Sequence, residues 1–135
     1  MPAEYGIHTR VDGSFDDVVE ATIAALKEEG FGVLTDIDVK ATMKSRLGVD
    51  VEPYRILGAC NPALAHKALV EEPDLGLLLP CNVVVRVEGD GVVVSAVDPA
   101  LMMGVTGNSE LEGVAAEAKS RLVKVIDSLK ASGTA

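Results

Sequence analysis

The sequence predicts one α+β domain over residues 1–135, a single twisted and mainly antiparallel sheet with its helices packed on one face. Three observations carry this. Residues 83–97, VVVRVEGDGVVVSAV, alternate around a Gly-Asp-Gly step and read as an antiparallel hairpin. Helical and strand patterns follow one another with almost no loop between them. No Gly-rich turn joins a strand to a helix, as a parallel dinucleotide-binding sheet requires. The order is strand, helix, strand, short helix, strand, helix, hairpin, long helix.

The first strand is the β-prone YGIHTRV at residues 5–11. Ser14 then opens a helix, with Asp17 three positions on as a capping-box variant. Phe15, Val18, Ile23 and Leu26 recur at helical spacing, with Val19 and Thr22 filling in, and Gly30 ends the run. FGVLTDIDV, residues 31–39, is the second strand. Asp38 caps a short helix through VKATMKSRL that Gly48 stops. Residues 52–60, EPYRILGAC, form the third strand, with Pro53 at its entrance, where a missing donor does least harm. Asn61 and Pro62 are a helix start, a cap followed by proline at the first helical position. Leu64, Ala65, Ala68 and Leu69 supply that helix's apolar stripe, and Pro73 prevents its continuation.

In LLPCNVVV, residues 78–85, Pro80 breaks the apolar run, so the hairpin strand begins after it. An even hairpin loop sets Val83, Val85 and Val87 on one face with Val92, Val94 and Ala96, and leaves a mixed face behind. DPALMMGVTGN is a connector with a helical turn after Pro99. The final helix starts near Asn108 or Ser109, where Ser109 and Glu112 make a second capping box. Its buried stripe is Leu111, Ala115, Ala118, Leu122, Val125 and Leu129, with Gly133 as its exit.

Composition excludes several classes of function. A charge of −9, from 21 acidic and 12 basic residues, disfavours nucleic acid and anionic membranes. Two Phe, two Tyr and no Trp leave almost nothing for a base-stacking platform. The first residues lack the basic start and apolar run of a signal peptide, and the longest apolar stretch, residues 75–85, is too short for a bilayer. A cytoplasmic protein with two thiols is expected, rather than one with a structural disulfide.

Gly58-Ala59-Cys60-Asn61-Pro62, Glu72-Pro73-Asp74, Leu79-Pro80-Cys81 and Asp98-Pro99 together resemble the domain of unknown function family 302, over nearly the whole chain. That resemblance implies a compact fold similar to the TATA-binding-protein-like class, and a homodimer. It implies no established reaction. Similarity of fold to a DNA-binding protein has no functional weight here, because the charge has the wrong sign.

The candidate site is the doubled Cys-Asn pair, with Cys60, Asn61, Pro80, Cys81 and Asn82 as ligand-binding residues. Cys60 precedes a helix amino end, where free amides favour a thiolate, and Cys81 can approach it if the third strand neighbours the hairpin. The leading expectation is a homodimeric binding module for a small ligand or partner, with no cofactor and no resident metal. The alternative is a thiol redox enzyme, or a soft-metal carrier for copper or zinc that adds His66, Met102 or Met103 to the two sulfurs. Against that alternative, free cysteines usually pack as small hydrophobes, and no paired carboxylates, GxSxG, phosphate loop or HExxH accompany them. His66 and His8 read as surface or hydrogen-bonded residues, and the two methionines as gap-fillers.

Overall fold

The computed structural model describes residues 2–133. Five strands form one sheet in the order β1-β5-β4-β3-β2: β1 Gly6–Val11, β2 Gly32–Asp38, β3 Tyr54–Cys60, β4 Cys81–Glu88 and β5 Gly91–Val97. Every neighbouring pair is antiparallel. The hairpin closes through a two-residue turn, with Glu88 paired to Gly91 and Gly89 at φ +63°, a backbone state that an L side chain resists. Val83, Val85 and Val87 therefore lie opposite Ala96, Val94 and Val92, the face-sorting that an even loop dictates.

Two helices cover that apolar face, α1 Phe15–Glu28 and α5 Glu112–Gly133. Ser14 accepts from the Asp17 amide at 3.2 Å and starts α1. Gly30, at φ +84°, ends it in a Schellman turn: its amide bonds Lys27 O, and the Phe31 amide bonds Leu26 O. Thr22, fully buried, donates its hydroxyl back to Val18 O at 2.7 Å, so no polar group is orphaned there. The α5 stripe of Ala118, Leu122, Val125 and Leu129 is buried as its spacing requires, and Ile126 joins it.

A smaller apolar cluster stands at one end of α5. It joins α3 Pro62–Glu71, a 3-10 turn at Pro73–Leu77, α4 Pro99–Gly104 and the first turns of α5 through Ala68, Leu75, Met103, Leu111 and Ala115. Pro73 ends α3 and begins the 3-10 turn, an element the sequence reading did not anticipate. Another departure concerns the start of α5. Asn108, rather than Ser109, is the cap, accepting from the Glu110 amide at 2.9 Å and heading a 3-10 turn over Ser109–Leu111. Its side-chain nitrogen also bonds Glu71 O and Glu72 Oε1, a tie to the end of α3 that local sequence does not reveal.

The short α2, Val39–Leu47, has the Asp38 cap and the Gly48 stop its sequence calls for, yet buries no residue. The reverse face of the sheet, with Val84, Arg86, Val93 and Ser95, lines an open groove. No described helix is long and apolar enough to cross a membrane.

Asp98, only 7% exposed, links β5 to α4. It accepts from the Ala100 amide at 2.9 Å and pairs with Lys119 of α5 at 3.0 Å. Burial opposes its charge, but the Lys119 ammonium and the amides outweigh it and hold the carboxyl below the ordinary range. A carboxyl depressed in the fold contributes stability above its unfolded pKa of about 3.9, lost as pH falls toward the folded value. Asp98→Ala is expected to cost about 1–2 kcal/mol at pH 7. In urea titrations the gap from the parent protein should shrink below about pH 4.

Candidate functional site

Strand pairing decides where the two Cys-Asn steps meet. Cys81 opens β4 opposite Ala59, one residue before Cys60, the last residue of β3. Both cysteines thus come to the same end of adjacent strands and line one pocket of about 270 Å³. Asn61 and Pro80 share its wall. Asn82 does not: it pairs with Gly58 on the reverse face and is exposed. Alternation along β4 puts it there, since Cys81 and Val83 point into the core.

The rest of the lining is aliphatic or aromatic and comes from every layer: Phe31 after α1, Leu34 of β2, Leu64 and Ala65 of α3, Leu79 before β4, and Met103 of α4. A bulge in β2 between Val33 and Thr35 throws Leu34 out of register and leaves it 69% exposed. Leu69, part of the apolar stripe the sequence gives α3, is 38% exposed, and only Ala68 of that stripe is sealed. The α3 stripe faces a space the core does not fill. Helical spacing identifies such a stripe but not whether its opposite wall is complete.

Asn61 is occupied structurally: its Oδ1 accepts from the Leu64 amide at 3.2 Å, the cap expected before Pro62. The Leu79–Pro80 peptide is cis. Pro80 packs over Gly58, where a Cβ would meet the proline Cγ at 2.7 Å and also the Thr35 hydroxyl, so only glycine fits beneath it.

The thiols differ. Cys81 is 5% exposed, and burial, with the nearby Cys60, pushes it up to about 11. That is the opposite direction from an activated nucleophile, which leaves the redox reading unsupported. His66 is exposed, and among the described residues no three His, Cys, Asp or Glu side chains gather to hold a metal. Cys60 is half-buried. One equivalent of alkylation at pH 8, at Cys60, is expected in the native protein, with Cys81 reacting only on unfolding. Peptide mass mapping after iodoacetamide checks this.

The model of the family described as "Domain of unknown function DUF302" matches residues 7–129. The chain belongs to the DUF302 family. Among solved structures it is similar to an uncharacterized conserved DUF302 protein from Bacillus stearothermophilus, with a TM-score of 0.87 and 30% identity. The match covers 94% of this chain and 99% of that one. No curated protein matches it. The DUF302 fold is thus a five-stranded antiparallel sheet with helices, as the sequence order predicts.

Proposed function

We propose that this DUF302 domain is a binding module that takes a small apolar molecule, or the apolar end of a larger one, in the pocket between Cys60 and Cys81. One observation carries the reading: the aliphatic face of α3 opens on space rather than on side chains, with Leu34 and Leu69 exposed beside it. Covering such surface gains roughly 25 cal/mol per Å² of apolar area. A volume of about 270 Å³ suits one ring or a short aliphatic chain, larger than the ~150 Å³ space known to take benzene and just below drug-sized pockets. With the Asn61 Oδ1 taken by the helix cap, the Asn61 side-chain nitrogen and the two thiols are the polar side-chain groups at the wall.

The homodimer implied by the family resemblance belongs to this proposal, with the unpaired edge strand β2 and its exposed Leu34 and Ile37 as supporting features. So does the cytoplasm, where two unpaired thiols persist. Native mass spectrometry of the protein, purified without denaturation and then exposed to millimolar indole, tests the reading. A dimer mass with one small adduct per chain, lost when the pocket is filled by mutation, is the expected result. Bare monomer with no uptake contradicts it.

A further inference from the structure

The reverse face of the sheet holds a groove of about 650 Å³, lined in part by His8, Ser95, Arg10, Arg86 and Tyr54. Within it, register places His8 of β1 directly opposite Ser95 of β5. The Ser95 Oγ lies 2.7 Å from His8 Nδ1, and His8 Nε2 lies 2.7 Å from the carbonyl oxygen of Ala3. A carbonyl only accepts, so Nε2 carries the proton and Nδ1 is left to accept from the serine hydroxyl. This is the order a base-activated nucleophile needs: hydroxyl, base, and a third group that fixes the base's tautomer. Gly6 completes the seat, because a Cβ there would lie 2.7 Å from His8 Cε1 and 2.8 Å from Nε2, in the space the ring occupies.

We infer that Ser95 and His8 form a nucleophile–base pair that hydrolyses a carboxylic ester bound in this groove. Ser95 Oγ bonds to the acyl carbon while its proton passes to His8 Nδ1. The carbon–alkoxy bond then breaks, and the leaving oxygen takes that proton from His8. Water adds to the acyl-serine by the same route, releasing the acid and restoring the Ser95 hydroxyl. Throughout, His8 Nε2–H stays bonded to Ala3, which stabilises the transient imidazolium. Arg86 pairs with Val93 and so stands diagonally from Ser95 on the same face, one guanidinium nitrogen held by Glu88 at 3.5 Å. On this inference the developing oxyanion is assigned to its remaining donors. Val84 and Val93 supply the apolar floor for the acyl group.

Incubation of the full chain with a fluorophosphonate, read by intact mass and peptide mapping, tests the inference. One adduct at Ser95 is expected, absent in S95A and formed roughly a hundredfold more slowly in H8Q, with p-nitrophenyl acetate hydrolysis falling in parallel. G6A, which displaces the ring without removing it, should slow labelling too. A folded parent protein with no adduct at Ser95 overturns the inference, as does labelling at the same rate in a folded H8Q or G6A protein. The mapped fluorophosphonate adduct reports Ser95 and not the thiol of Cys60, so its outcome leaves the apolar-ligand reading standing or falling by itself.

Discussion

Leu122→Ala should lower the unfolding free energy by about 3–4 kcal/mol, the cost of removing a fully buried leucine where the surroundings cannot collapse. Leu122 belongs to the cluster that joins α5 and α1 to the inner faces of β3, β4 and β5, alongside Leu26, Leu57, Val83 and Val94. Helix α5 meets the sheet through Ala118, Leu122, Val125, Ile126 and Leu129, so truncating one of its two leucines removes one of the larger buried side chains of that face. Domains of this size have a total stability of about 5–15 kcal/mol, and the loss is a large share of that. Guanidinium unfolding followed by far-ultraviolet circular dichroism checks the value. Leu34→Ala, at an exposed position, should change stability by no more than about 0.5 kcal/mol in the same assay.

Ala65→Trp should abolish uptake of small apolar molecules, weakening binding by about a hundredfold or more, while leaving the fold intact. Ala65 is half-exposed on the α3 face that borders the pocket, and an indole there enters space that no side chain holds. Enlarging a residue usually strains a close-packed core, by about 1–3 kcal/mol. Here the open volume accommodates the ring, so stability should hold or rise. Isothermal titration with indole reads the loss of binding, and thermal unfolding reads the stability. Retained binding in a folded Ala65→Trp protein would show that the ligand sits elsewhere.

The elements were legible because their ends are written in local chemistry. Ser14, Asp38 and Asn61 are caps in the sequence and in the structure, and Gly30, Gly48 and Gly89 take the positive φ values their positions required. The hairpin faces followed from an even loop alone. Convergence of Cys60 and Cys81 was also within reach, since it needed only β3 beside β4. What sequence could not supply was completeness of packing. Leu64, Ala65 and Leu69 satisfy a helical stripe whether the opposite wall is full or missing, and Leu34 leaves the core through a bulge that no residue type announces. Asn82 neighbours Cys81 in sequence but faces the other side of the sheet, because a strand turns consecutive side chains to opposite faces. The His8–Ser95 contact spans 87 residues, and only the pairing of β1 with β5 creates it.

Crystals of the protein pressurised with xenon give the most direct test of the apolar pocket, because xenon enters dry apolar space and is located by its scattering. One xenon site is expected among Leu64, Leu79 and Cys81, lost in Ala65→Trp. Ordered water bridging polar groups in that space, with xenon bound only elsewhere, would contradict the account.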